Sequence, residues 1–395
     1  MRNILLTVKY SIYSIAVITF CSCDKGRNNR ASQIESTMPQ ESTSQESINY
    51  NIFVENSGSM MGYCNINNKQ ALETLIGDYY DRIESNLKDN DTITLNFINT
   101  SIVNHSKDIK DFKSAIKRQC NAKYSKLDDI LSQIMDSLND NDVNLLISDY
   151  VFTTNEGNPE AAKSSIAALF TKKLKKKDFS IAIFKYMRDF KGRYYPGNIA
   201  CNKPLPIYIW IFGKPNEVKK VAQLPFLTQN CGEYYLQTAC TVPFEFNVDT
   251  KRMIEHHSIE LSKWNNKRHK EYYELKVIVD LQKIMLDETD ILDISQYSLQ
   301  TKNNSIFTIA SIDKAGNGKY EFTIRTKRPS PGTLTISRPM TTAKWIEKSN
   351  YTGTGIPTDS TTLNISYLIN GVSKAFQDVS GGKANYFEFE VEFKK

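Results

Sequence analysis

An α/β domain with a mostly parallel central sheet, followed by an antiparallel β-sandwich domain, is the architecture this sequence predicts. Three observations carry it. From Asn49 to about Phe246, short apolar runs alternate with segments of helical periodicity, as in a sheet covered on both faces. The runs at 50–54, 92–98, 143–147, 179–184 and 207–212 are largely apolar, which suits strands buried on both sides. Past residue 272 the period becomes two, with Gly, Pro and Asn between the runs, as in a sandwich of short strands.

Taken in order, the chain opens with Arg2 and Lys9 flanking an apolar stretch, uncharged from Tyr10 to Phe20. A bilayer span needs about 20 apolar residues, so this shorter stretch has the form of a secretory signal peptide. The sequence Phe20-Cys21-Ser22-Cys23-Asp24 resembles a bacterial lipobox. That resemblance implies a signal peptide over 1–22, cleavage before Cys23 and a diacylglyceryl group on its sulfur. An ordinary signal peptide with incidental cysteines is the alternative. Residues 23–47 are rich in Ser, Gln, Glu and Asn. They hold too few large apolar groups to form a core and read as a flexible tether. The expected location is the bacterial cell envelope, with the body outside the cytoplasm and a lipid holding it to a membrane.

The first folded domain is expected over 48–246. The segment 69–87 sets Leu72, Leu75, Ile76, Tyr79, Tyr80 and Ile83 at helical spacing, and 126–138 does so with Leu127, Ile130, Leu131, Ile134 and Met135. A third helix, 159–176, opens at Asn158-Pro159 and closes in lysines that complement its dipole. Residues 247–272 form a polar connector carrying His256, His257 and His269, with no carboxylate or cysteine framing them. The sandwich occupies 273–395, with strands at 273–281, 305–312, 319–327, 332–337, 362–368 and 386–393. The net charge of +6 is spread along 395 residues. It gives no basis for a nucleic-acid partner, which needs basic residues focused on one face.

Ligands of open α/β sheets bind beyond the carboxyl ends of the strands. The first strand delivers Glu55, Ser57 and Ser59 there, and the run "VNLLISDY" delivers Ser148 and Asp149. Ser125 stands at the N-cap position of the second helix. Two carboxylates with several hydroxyls form a hard oxygen set suited to Mg²⁺, Ca²⁺ or Mn²⁺.

These three elements, in this order, resemble a von Willebrand factor A domain, a Rossmann-like fold with a metal-ion-dependent adhesion site. The family's Asp-x-Ser-x-Ser appears as Glu55-Asn56-Ser57-Gly58-Ser59, its threonine as Ser125, and its aspartate after an apolar strand as Asp149. The resemblance covers about 200 residues. It implies that Ser57 and Ser59 bind the metal directly, and that Ser125 and Asp149 do so directly or through water. Glu55 departs from the pattern by one methylene. Mg²⁺ demands near-ideal octahedral geometry and Ca²⁺ tolerates displacement, so Glu55 places the metal, rather than the fold, in question. A buried polar network that ties the loops without metal is the alternative.

Cys64 and Cys120 flank these loops, and a disulfide between them would lock the two together. Cys201, Cys231 and Cys240 frame a region near the last strand of the sheet, where one further bridge is in reach and its partners are open. Tyr194 and Tyr195, beside Pro196-Gly197, offer an aromatic contact surface or pack beneath their own loop. There is no nucleophile elbow, HExxH or paired-carboxylate signature. The expectation is therefore not an enzyme. It is a membrane-anchored binding module whose metal receives a carboxylate from a protein partner. A metal-free assembly subunit of an envelope complex is the alternative, ahead of a metal-assisted hydrolase.

Overall fold

The computed structural model describes residues 47–395 except 65, 67–70, 107, 122–125, 154–157, 196, 225–230, 248–253, 256–257, 265–270, 303–304, 354 and 358–359. The signal segment, Cys23, nearly all of the tether, Ser125, His256, His257 and His269 lie outside the described residues. Residues 46–395 form one compact unit.

Strand β1 (Asn49–Glu55) leads through α1 (Met61–Cys64) and α2 (Leu72–Glu84) to β2 (Thr92–Ile98), which folds back on β3 (Ile102–Ser106). Helices α3 (Ile109–Gln119) and α4 (Leu127–Ser137) precede β4 (Asp142–Ser148). Helix α5 (Pro159–Leu174) crosses to β5 (Ser180–Tyr194), and a short turn returns the chain as β6 (Ile199–Gly213). Helix α6 (Pro215–Ala222) and β7 (Gly232–Leu236) follow. The strands form one sheet of seven, in the order β3-β2-β1-β4-β6-β5-β7.

The α/β class stands, and the expectation of a mostly parallel sheet is corrected. Strand β1 is parallel to β2 and to β4. Every other neighbouring pair in this sheet is antiparallel. The physical reason is the link between β5 and β6. Parallel neighbours need a crossover of a dozen or more residues, whereas the four residues between Tyr194 and Ile199 permit only a hairpin. Strand β6 is thereby wedged between β4 and β5. Strand β5, expected to end at 184, runs on to Tyr194 with Tyr186, Arg188, Phe190 and Tyr194 buried at alternate or fourth positions. Strand β4 pairs with β6 only as far as Ser148↔Tyr208, while β5 and β6 stay paired to Tyr194↔Ile199. The hairpin therefore continues past the carboxyl end of β4.

The rest of the chain forms β8 (Cys240–Thr241), β9 (Phe244–Phe246), β10 (Ile254–Glu255), β11 (Ser258–Glu260), β12 (Tyr273–Asp280), α7 (Glu288–Leu292) and β13 (Ser298–Thr301). Then come β14 (Phe307–Gly316), β15 (Lys319–Thr326), β16 (Gly332–Pro339), α8 (Lys344–Lys348), β17 (Asn350–Tyr351), β18 (Thr362–Leu363), α9 (Ile365–Val379) and β19 (Asn385–Lys394). One sheet runs β10-β11-β19-β16-β13 with β8 also on β19, a second runs β14-β15-β12-β9, and β17 pairs with β18. Rings from the first two sheets meet, with Phe322 and Phe389 at 5.5 Å and Phe307 and Phe393 at 5.1 Å. Edge-to-face and offset contacts of this kind add to the burial of large apolar groups.

The strand expected at 362–368 is corrected. Only Thr362–Leu363 is extended, and helix α9 begins at Ile365. Ile365, Leu368, Ile369, Val372 and Phe376 are all buried, at helical spacing. Helix α9 packs closely on α5, because a Cβ at Gly371 would stand 2.7 Å from the Lys163 carbonyl. No helix among the described residues is long and apolar enough to cross a membrane.

Candidate functional site

Strands β1 and β4 lie side by side and parallel, so their carboxyl ends open at one edge. From β1 the chain proceeds to β2 on one flank, and from β4 through α5 towards β5 on the other. Diverging connections of this kind leave a crevice between the two strand ends.

The end of β1 is built first by its backbone. The Asn56 N–H donates to the Ile98 carbonyl at 3.2 Å, and Asn99 Nδ2 donates to Asn56 Oδ1 at 2.6 Å. Ser57 then turns the chain into a 3₁₀ turn over Gly58–Met60, with the Met60 N–H on the Ser57 carbonyl at 3.1 Å. The hydroxyls of Ser57 and Ser59 sit 3.0 Å apart. Helix α1 follows and presses on β5. A Cβ at Gly192 would lie 2.8 Å from the Gly62 Cα, and one at Gly62 would run into the Phe190 ring, so glycine at both positions lets α1 and β5 approach this closely. Tyr63 packs edge-on against Phe190 at 4.9 Å and donates to the Pro206 carbonyl at 2.7 Å.

Glu55 and Asp149 are both buried, at 4% and 5% exposure. Ser148 donates its hydroxyl hydrogen to Glu55 Oε2, and Ser148 Oγ itself accepts the Tyr150 N–H at 2.8 Å. Asp149 Oδ1 accepts the Val151 N–H at 3.1 Å, and its carboxylate accepts a hydrogen bond from the Ser59 side chain. Burial and then the charge on Glu55 push the Asp149 carboxyl up to about 7, against the pull of those two hydrogen bonds. The surroundings explain the burial. Tyr150 stacks on Trp210 at 4.6 Å and meets Tyr208 edge-on at 5.9 Å. Burial holds the Tyr63 and Tyr150 hydroxyls well above their ordinary values, with Asp149 charge adding at Tyr63 and Glu55 charge adding at Tyr150.

The structure thus brings Glu55, Ser57, Ser59 and Asp149 together, while Ser125 lies outside the described residues. Cys64 and Cys120 are joined by a disulfide with their Cα atoms 6.7 Å apart. Cys201, Cys231 and Cys240 take part in no disulfide, so the further bridge expected among them is not formed. Of the tyrosine pair, Tyr194 is buried at 5% exposure and Tyr195 is exposed at 43%, so only Tyr195 presents a surface. Beyond Phe152 a cleft of about 470 Å³ opens between α4 and α5, lined in part by Asp128, Asp129, Thr153 and Asn158.

Three contributors escaped the sequence reading: the Gly62–Gly192 contact, the Tyr150 stack and the left-handed backbone of Tyr150 at φ 50°. The period of two in "FKYMRDFKGRY" was the available signal for the first, since it extends β5 to the site.

Among the described residues no three of His, Cys, Asp and Glu gather as a metal group. The donor set is two carboxylates completed by serine hydroxyls. On its chemistry it fits a hard divalent cation: it is all oxygen, it is buried, and burial and then the Glu55 charge raise Asp149 with no cationic side chain acting against them.

Comparison with protein-family models, with curated proteins and with solved structures finds no match to this chain.

Proposed function

We propose that the body is a binding module of the von Willebrand factor A type, and that Glu55, Ser57, Ser59 and Asp149 hold a divalent cation for a partner's carboxylate. The observation that carries this reading is the pair of buried carboxylates facing serine hydroxyls at the crevice between β1 and β4. Two such groups in a dry site repel one another unless one takes a proton or a cation joins them. A bound cation would supply a Lewis-acidic position open to an anionic oxygen from outside. Mg²⁺, Ca²⁺ and Mn²⁺ are the candidates, with Ca²⁺ most tolerant of the longer Glu55 arm. We further propose that Cys23 carries a lipid that tethers the module to a membrane of the cell envelope.

Titration calorimetry with each of the three ions, on the protein kept at neutral pH, tests the site. Binding lost in Asp149→Ala supports it. No heat with any ion, and no change in melting temperature, sinks it.

One observation favours a second reading. Ser148 already satisfies Glu55, and Ser59 and Val151 already satisfy Asp149. A protonated Asp149 would complete a metal-free network, as an assembly subunit of an envelope complex requires. A partner captured equally with and without EDTA points to that reading.

A further inference from the structure

The loop carrying Asp149 is held by a distant part of the chain. Tyr150 is a bulky residue in the left-handed region, at φ 50°. Such a backbone is strained and persists only where its surroundings fix it. The bonds from the Ser148 hydroxyl and the Asp149 carboxylate to this loop are local. Apart from the bonds to Glu55 and Ser59 at the end of β1, those that reach out go to the β17–β18 ladder and the residue after it. The Phe152 N–H donates to the Leu363 carbonyl at 3.1 Å, and Asn364 Nδ2 returns a bond to the Phe152 carbonyl at 2.9 Å.

The ladder is itself anchored to the main sheet. Lys185 of β5, buried at 5% exposure, donates to Ser349 Oγ and to the Ser360 carbonyl, each at 2.6 Å. Tyr208 of β6 donates to Thr362 Oγ1 at 3.1 Å, and its ring stacks on Trp345 at 6.4 Å. The Asn364 N–H closes on the Tyr351 carbonyl at 2.8 Å. Asn364 is left-handed too, at φ 57°, and its side chain is one of the few that tolerate that backbone. It is directed at the loop and not at its own helix, for it makes no capping bond to α9.

We infer that the β17–β18 ladder is a latch that sets the position of the Asp149 carboxylate, with Asn364 as the positioning residue. This rests on the reading of Glu55, Ser57, Ser59 and Asp149 as a cation site. The latch couples that site to the start of α9. By linkage, a cation that needs the placed carboxylate tightens the latch by the same factor.

The test is Asn364→Gly in the full chain, with Asn364→Asp beside it. Glycine keeps the left-handed backbone without strain and deletes the amide donor. Aspartate keeps the shape and replaces the donor with an acceptor. Hydrogen exchange of the cation-free protein is read at 149–153, with β1 and β4 as internal references, and Mn²⁺ affinity is read by calorimetry. The expected result in both variants is exchange at 149–153 faster by about tenfold or more, unchanged exchange in β1 and β4, and an Mn²⁺ affinity weaker by about tenfold, corresponding to a coupling within the usual range. Ile324→Val, a core change in the sheet of β14, β15, β12 and β9, should alter neither readout. Unchanged exchange at 149–153, or faster exchange everywhere, overturns the inference. So does faster local exchange with unaltered Mn²⁺ affinity. If Mn²⁺ fails to bind the unmodified protein while local exchange still rises, the cation reading falls and the latch on the loop stands.

Discussion

Two of the places among the described residues where carboxylates lie close together answer the repulsion differently. At the crevice between β1 and β4, Glu55 and Asp149 are buried among tyrosines, and no cationic side chain draws the Asp149 carboxyl down. Around α7, burial and then the charge of Asp287 raise the Glu233 and Asp290 carboxyls, but water reaches both and Arg338 acts against the rise at Asp290. Asp287 is further occupied as the cap of α7, accepting the Asp290 N–H at 2.7 Å. The second group is thus explained by local structure: a cap, a solvated rim and a nearby guanidinium. The first is held by the Ser148 and Ser59 hydroxyls and the Val151 N–H, with no cationic side chain acting on Asp149, and the proposed cation reading rests on that difference.

The comparison can be broken most forcefully through the covalent brace. The Cys64–Cys120 bridge spans 56 residues and ties α1, just past the serine loop, to the end of α3. Replacing both cysteines by serine should lower stability by up to about 4 kcal/mol in the chain-entropy picture, read by urea unfolding. No comparable brace holds the α7 group among the described residues, so the loss should fall on the first region's hydrogen-exchange protection.

Next in size is the response to cations. At a concentration a hundred times the dissociation constant, Ca²⁺ or Mg²⁺ should stabilise the protein by about 2.7 kcal/mol. Asp149→Ala should erase that response in a thermal melt, and Asp290→Asn should leave it intact. Equal responses in the two variants would remove the distinction between the groups.

A smaller effect follows from pH. The folded Asp149 carboxyl titrates at about 7, above its unfolded value of about 3.9. Between those values the folded state holds the extra proton, so the cation-free protein loses stability as pH rises through that window. The slope contributed approaches about 1.4 kcal/mol per pH unit at most. Asp149→Asn should remove it, and Glu233→Gln should change it less because that group is only half buried. Unfolding free energies at pH 4.5, 5.5 and 6.5 for the three proteins check this.

The smallest effect is the cap. Asp287→Ala should cost about 1 kcal/mol and leave cation binding unchanged, as measured by denaturation and by calorimetry on one sample.

Much of the first region is legible in the sequence. Apolar runs located β1, β2 and β4, and the rule for strand ends then put Glu55, Ser57, Ser59 and Asp149 at one edge. The periodicity of Leu127, Ile130, Leu131 and Ile134 located α4 within a residue of its ends. Failures came where a short window hid the longer pattern. Leu363, Ile365 and Tyr367 alternate with polar residues and read as a strand, but the helical series from Ile365 to Phe376 decides the local structure. The segment after Phe184 looked like a loop because Arg188, Asp189 and Lys191 are charged. Its alternate residues are nonetheless buried, and Arg188 itself is 3% exposed. The hold of Asn364 on Phe152 spans 212 residues, and no local rule of spacing reaches that far.

The β5–β6 hairpin has a consequence for the shape of the crevice. From Ile207 to Ile199 its strands stay paired beyond the last residue of β4 that β6 accompanies. Its far end does not stand clear of the carboxylates. Gly192 meets Gly62 just past the serine loop, and Tyr194 near the tip still feels the charge of Asp149. The hairpin thus leans along the crevice as a wall, and a side chain added at Gly192 would push that wall against the segment that carries the serines.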